Sequence, residues 1–317
     1  MLGPRPTTPP GGATDVPFAG LTAGPGARLT WAPAKVNLFL EVLGRRPDGY
    51  HAIETLILAV DLFDTLEVRN DESGTLSVEC DPPGLPTGPD NLVYKAADAL
   101  RCAAGLARGA GVRLTKRIPT EAGLGGGSSD AAAAIAALDA VWRLGLPRND
   151  LLAVAAAVGS DVGAFLTPPA GWCTGRGERV EPVPVGRPLD LVVVKPPVGL
   201  STADVYRRVR LPEAPQSGEA VRDALRAGDP EAVADALFNR LQEAAFAAAP
   251  AVERAHRTLA GCGPLGCLVS GSGSSVFAVC RDRADAGRVA GRYRDADRNE
   301  SMVSQVYVVR SYWPSPR

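Results

Sequence analysis

Residues 119–132, PTEAGLGGGSSDAA, have the types and the spacing to hold a phosphate. Four glycines fall within 123–127, followed at once by Ser128, Ser129 and Asp130 and then by an alanine-rich run. Glycine accepts positive φ and lets a ligand come close to the backbone. Ser and Asp are helix N-cap residues, and alanine propagates a helix. The segment reads as a glycine-rich loop feeding a helix N-terminus, with free N–H groups and the positive end of the dipole aimed at one spot. A flexible Gly/Ser linker is the bland alternative, and the helix that begins without interruption argues against it. The P-loop needs a Lys where this chain has Gly127, and the dinucleotide fingerprint needs a Gly where it has Ser128. The loop therefore belongs to another phosphate-binding class.

Three other places carry candidate chemistry. Val36, Leu38, Leu40 and Val42 alternate, which predicts a strand with one core face and sets Lys35 and Asn37 side by side on the other. That face points either into a cleft or to solvent at a sheet edge. Asp161 stands just past a helix end, between Ser160 and Val162. It reads as a capping or turn residue, or as an acid/base if a phosphate acceptor and a cation such as Lys35 are near. Residues 270–275, SGSGSS, lie between two apolar runs and read as a hairpin turn or as a second wall of the phosphate cleft.

These residues need a scaffold, and the chain is long enough for two domains: 317 residues, with 34 Lys+Arg against 35 Asp+Glu. The balanced charge gives no reason to expect nucleic acid or an anionic membrane as a partner, and no apolar run is long enough to span a bilayer. The first 28 residues hold six prolines and six glycines and lack the pattern of a signal peptide. They read as a disordered leader, or as sequence upstream of the true start, and the chain as cytoplasmic. The cysteines are Cys80, Cys102, Cys173, Cys262, Cys267 and Cys280. With no C-x-x-C and only two histidines they read as free thiols rather than a zinc site.

Strands are expected over 34–43, 55–69, 75–80 and 112–118, with a turn at 48–51, DGYH. Helices are expected over 91–107, 129–144 and 149–158. Ordered chain is expected from about Leu29. The run 191–194 marks a buried strand after a Pro-rich segment, which places a domain boundary near 185–186. Helices come next near 219–226, 230–247 and 250–260, then the strand–loop–strand at 266–280, a helix near 283–294 and a last strand over 305–312. Strands and helices mix without a strict βαβ rhythm, so the class is α+β.

Taken together, PAKVN at 33–37, AGLGGGSSDAA at 122–132 and SGSGSSVF at 270–277 resemble, in the same order, the three motifs of the GHMP kinases. DGYH at 48–51, GSDV at 159–162, TGRGE at 174–178 and FNRLQ at 238–242 narrow the likeness to one branch. That branch phosphorylates the 2-hydroxyl of a cytidine diphosphate-linked methylerythritol in the non-mevalonate isoprenoid route. The resemblance spans roughly 29–312. It implies a two-domain fold: a ribosomal protein S5 domain 2-like N-terminal domain at 29–185, and an α/β C-terminal domain at 186–313 that completes the cleft.

The resemblance also implies roles. Asp161 would take the proton of the acceptor hydroxyl, and Lys35 would pair with it. ATP would lie on Glu121, Ala122, Gly123, Leu124, Gly125, Gly126, Gly127, Ser128 and Ser129, with Mg²⁺ on Ser128 or Ser129. The acceptor would be held by Asn37, Tyr50, His51, Thr202, Tyr206, Gly271, Ser272 and Gly273. Two positions depart from the family pattern. Gly163 replaces a common Pro and should loosen the turn that aims Asp161. Glu121 stands where small residues are frequent and would repel a triphosphate unless it faces away or joins the metal site. A mevalonate- or homoserine-type kinase, or a catalytically weak binding protein of the same fold, is the alternative. Monomer and homodimer both stay open.

Overall fold

The computed structural model describes residues 21–24, 26–167, 169–300 and 302–312. Two β-sheets organise it. The larger is built on two long antiparallel strands, β2 (Ala27–Arg45) and β3 (His51–Asp71), which pair along their whole length and turn at 48–51, the DGYH turn expected from sequence. β1 (Leu21–Gly24) pairs with β2, so ordered chain begins before Leu29, inside the segment read as a leader; residues 1–20 lie outside the described residues. β4 (Leu76–Asp81) and β5 (Gly109–Thr115) extend one end of β3, while β6 (Ala170–Gly175) and β7 (Arg179–Pro182) extend the other.

Four helices pack on this part of the chain: α1 (Leu92–Ala103), α2 (Gly126–Trp142), α3 (Arg148–Val158) and the single turn α4 (Val162–Phe165). Asn91 caps α1 by accepting from the Val93 N–H at 2.8 Å. Most alanines of α2 are buried, Ala131 to Ala134 and Ala137, as expected of a helix that is apolar nearly all round. They pack with Leu66, Val68, Val112 and Leu114 of the sheet.

The smaller sheet has the order β10–β11–β8–β12, from β8 (Asp190–Lys195), β10 (Gly266–Val269), β11 (Val276–Cys280) and β12 (Gln305–Arg310), all antiparallel. The buried run of β8 sits in its middle, which explains why Leu191, Val192, Val193 and Val194 carry no alternation. Around it lie α5 (Thr202–Arg208), α6 (Glu219–Ala227), α9 (Pro250–Gly261) and α10 (Arg283–Glu300).

One expected helix is broken. Instead of a single helix at 230–247 the chain forms α7 (Pro230–Asp235), a two-residue strand β9 (Phe238–Asn239) and α8 (Gln242–Ala248). β9 pairs in parallel with Phe39 and Leu40 of β2, and Arg240 forms two hydrogen bonds of 2.8 Å to the fully buried Glu41 carboxylate. Tertiary pairing outweighs the helix propensity of the alanines on either side. The same crossing carries a strand from the second half of the chain into the first sheet.

Candidate active site

Lys35 and Asn37 lie on β2, paired with β3, and are each 3% exposed, so the solvent-edge reading of their face is excluded. The Lys35 ammonium donates to Asn37 Oδ1, Asn37 Nδ2 donates to Thr55 Oγ1 at 2.8 Å, and Thr55 donates to the Phe39 carbonyl at 2.6 Å. This chain of bonds fixes both side chains. Burial pushes the Lys35 amine below its ordinary pKa, while the nearby Asp161 carboxylate acts in the opposite direction.

The first glycine loop is folded against this lysine. The Leu124 carbonyl accepts from the Lys35 backbone N–H at 3.0 Å. Gly125 has φ +68°, and a Cβ there would come within 2.8 Å of the Phe165 ring and 3.0 Å of the Lys35 stem, so only glycine fits. Gly125 is the N-cap of α2 and supplies no side-chain cap, and Ser128 and Ser129 lie inside the first turn rather than at the cap. The first N–H groups of the helix therefore lack intrahelical partners and open on the cleft, the arrangement that suits a phosphate.

The second glycine loop, 270–275, closes over the first. Ser270 Oγ donates to the Gly123 carbonyl at 2.9 Å, and the Ser275 N–H donates to the Ala122 carbonyl at 3.0 Å. A Cβ on Gly271 would lie 3.1 Å from Asn37 Oδ1 and 3.2 Å from Lys35 Nζ. Both loops thus meet at one buried amine. Asn239, from the FNRLQ segment, holds the second loop through Nδ2 bonds of 2.8 Å to the Val269 and Gly271 carbonyls.

Asp161 occupies the N-cap position of α4 yet makes no capping bond with its side chain, which sets aside the capping reading. Its Oδ1 lies 3.5 Å from where a Cβ on Gly177 would stand, so the TGRGE turn packs directly beside it. Gly163 sits within α4, buried, and a Cβ there would make ordinary contacts with Leu152 and Val180. The turn is held by the Val162 N–H to Gly159 and the Leu166 N–H to Gly163 bonds, at 3.2 and 3.1 Å, so it does not rely on a proline.

At the far end of the cleft the His51 and Tyr206 rings stand 5.1 Å apart with a 32° tilt, and Thr202 Oγ1 shares a 3.0 Å hydrogen bond with Ser272 Oγ. Burial, with Arg45 nearby, lowers the His51 pKa and favours the neutral imidazole; burial also raises that of the Tyr206 phenol. Tyr50 is 54% exposed, with the Arg176 guanidinium 5.0 Å above its ring.

A cavity of about 1070 Å³ joins these parts. Lys35, Asn37, Tyr50, His51, residues 121–128, Asp161, Thr202, Tyr206, Gly271 and Ser272 line it. Ser129 and Gly273 do not. Ser129 is fully buried with its Oγ unpartnered, and Gly273 turns toward Leu200 and Val269. Glu121 lies on the cavity edge at φ +50°, but its carboxylate packs over Gly199, where a Cβ would fall 2.2 Å from Oε2. It faces the chain after β8 rather than the loop glycines.

A charged cluster that sequence reasoning missed borders the same helix end. Lys116 Nζ bridges Asp64 and Asp130, the latter at 2.7 Å, and Lys116 and Asp130 line the cleft. Burial and the neighbouring Asp64 push the Asp130 carboxyl well above the usual carboxylate range. Asp130 comes directly after the two serines, so its place in the motif was the available signal.

A glycine-lined helix N-terminus, a buried amine and a carboxylate around one cleft define a phosphoryl-transfer protein by class. Sequence comparison agrees. Residues 91–168 match the GHMP kinases N terminal domain and residues 221–299 the GHMP kinases C terminal domain. The 4-diphosphocytidyl-2-C-methyl-D-erythritol kinase of Pelotomaculum thermopropionicum is 43% identical over 89% of this chain and 97% of its own length. That of Symbiobacterium thermophilum is 41% identical over 85% and 96%. A crystal structure of 4-(cytidine 5'-diphospho)-2C-methyl-D-erythritol kinase superposes with TM-score 0.74 at 35% identity, covering 90% of this chain and all of that one. The homoserine kinase of Cytophaga hutchinsonii, 20% identical with TM-score 0.74, shares the fold. The chain belongs to the 4-diphosphocytidyl-2-C-methyl-D-erythritol kinase family of the GHMP kinases.

Proposed function

We propose that the protein transfers the γ-phosphoryl group of ATP to the 2-hydroxyl of 4-diphosphocytidyl-2-C-methyl-D-erythritol, in isoprenoid precursor synthesis. The observation that carries this reading is the meeting of both glycine loops at Lys35, in a cavity that also reaches the His51–Tyr206 pair. The α2 N–H groups and its dipole hold the ATP phosphates. Asp161 accepts the proton of the acceptor hydroxyl, whose oxygen bonds to the γ-phosphorus as the bond to the ADP oxygen breaks. The arriving phosphate charge favours the protonated form of Lys35, which then offsets charge in the transition state. Asn37 fixes Lys35 and contacts the acceptor. His51, Tyr206 and Thr202 hold the cytosine end, with Tyr50 at its rim.

Mg²⁺ fits as a phosphate-bound ion. Among the described residues no cluster of three acidic, His or Cys side chains could cage a metal, and Ser128 offers a hydroxyl on the cleft. Bound there, the ion would neutralise phosphate charge. Residues 29–185 and 186–313 act in this reading as two domains that share the cleft.

An ADP-release assay with the cytidyl substrate, mevalonate and homoserine tests the proposal. Turnover is expected with the cytidyl substrate alone, and turnover with mevalonate instead would overturn it. Asp161→Asn should lower kcat by about 10²–10⁴-fold while ATP still binds. A wild-type rate in that variant would remove Asp161 from its role.

A further inference from the structure

Glu121 borders the first glycine loop, yet its contacts run to the second half of the chain. It holds φ +50°, a left-handed conformation uncommon outside glycine. A Cβ on Gly199 would fall 2.2 Å from its Oε2 and 3.1 Å from its Cβ, and the three atoms nearest that position all belong to Glu121. The turn beneath the carboxylate is wound around one cation. Lys195, at the end of β8, donates through Nζ to the Pro196 and Val198 carbonyls at 3.0 and 2.8 Å, and the Val198 N–H donates to the Pro196 carbonyl at 2.7 Å. Burial pushes the Lys195 amine below its ordinary pKa, and the Glu121 carboxylate acts against that shift. The main chain adds two bonds: the Glu121 carbonyl accepts from the Leu200 N–H and from Ser274 Oγ, both at 3.4 Å.

That turn leads straight into the acceptor pocket. Ser201 caps α5 by accepting from the Asp204 N–H at 3.4 Å, and α5 carries Thr202 and Tyr206. On the other side the segment meets the second glycine loop: Leu200 is buried 3.2 Å from where a Cβ on Gly273 would stand, and Thr202 bonds to Ser272. Residues 195–202 are thus held between the two glycine loops, with the Glu121 side chain as their hold on the first. A glutamate that only solvates the surface does not require a glycine opposite it. We propose that Glu121 is a positioning residue for the acceptor: it fixes the start of α5, and with it Thr202 and Tyr206, relative to the first glycine loop. The proposal rests on the kinase reading above. It gives to acceptor binding a residue that its place in the motif would give to ATP.

Glu121→Gly tests this in the full chain, because glycine keeps the left-handed backbone and the carbonyl bonds while removing the carboxylate. The KM for the cytidyl acceptor should rise about tenfold, and that for ATP by about twofold at most. Gly199→Ala should raise the acceptor KM in the wild type, because the new methyl displaces the Glu121 side chain. It should do little in the Glu121→Gly background, where those contacts are gone. Amide hydrogen exchange over 200–206 should be several-fold faster in Glu121→Gly and unchanged in α2. An ATP KM raised as much as the acceptor KM, equal effects of Gly199→Ala in both backgrounds, or unchanged exchange over 200–206 would each overturn the proposal. Exchange is read without turnover, so failure of the kinase reading would show separately, as an inactive wild type whose α5 still loosens in the variant.

Discussion

The two glycine loops have nearly the same composition and opposite uses. The first, 123–127, runs into a 17-residue helix, and its glycines clear the way for N–H groups that no backbone carbonyl claims. The second, 270–275, runs into strand β11, and several of its polar groups bond internally or to its neighbour. The Ser270 N–H donates to Ser275 at 2.9 Å, the Gly273 N–H to Ser270 at 2.9 Å, and Ser270 Oγ and the Ser275 N–H bond to the first loop. The element that a glycine loop enters decides its use. A helix leaves its first donors over for a ligand, whereas the loop entering a strand turns several of its donors onto itself and its neighbour.

Glycine-to-alanine changes should separate these uses. At Gly125 the added methyl meets Phe165 and the Lys35 stem in a left-handed backbone, and it displaces the helix start itself. We expect kcat/KM to fall about 100-fold or more, with the KM for ATP raised. At Gly271 the methyl meets the ends of the Asn37 and Lys35 side chains at 3.1 and 3.2 Å, and a lysine tip can shift. Loss there should be about tenfold and mainly in kcat. Equal increases in the KM for ATP from both changes would show that the second loop also binds the nucleotide, and the contrast would fail.

The contrast was partly legible in the sequence. Lys35 and Asn37 share a face because strand alternation has period two, and residues 123–130 announce a helix start through residue type alone. Gly163 and Glu121 drew attention as departures, but only the packing of α4 and of Gly199 reveals how each is accommodated. The Lys116 cluster could not be read. Its partner Asp64 is 52 residues away and is brought beside it by the β3–β5 register. The break at β9 was hidden because Phe238 and Asn239 lie between alanine-rich helices, and their strand exists only through Phe39 and Leu40 of β2.

Asn239→Ala sharpens the comparison at the next level of effect. It removes both bonds to the Val269 and Gly271 carbonyls and the acceptor for the Leu241 N–H, at a residue 6% exposed. Leaving buried carbonyls and an N–H unpaired should cost about 2 kcal/mol of stability, visible as a lower urea midpoint. The rate should fall less than with Gly125→Ala, because the donors of α2 stay in place. Unchanged stability would mean that the second loop holds its shape without Asn239.

The smallest effect concerns negative charge, which the Lys116 cluster brings to the border of the first loop. Asp130 has its native pKa raised by burial and by Asp64. Between the unfolded carboxylate value near ~3.9 and that raised native value, the unfolded state releases its proton first. The native state then binds more protons than the unfolded state, so this residue makes stability fall as pH rises through the window. Asp130→Asn removes that contribution and leaves the Lys116–Asp64 pair. Urea midpoints measured from pH 4 to neutral should therefore decline less steeply, or climb more, in the variant than in the wild type. Parallel curves would show that Lys116 keeps Asp130 ionised, and that the floor beneath the phosphate loop carries one more negative charge than its burial favours.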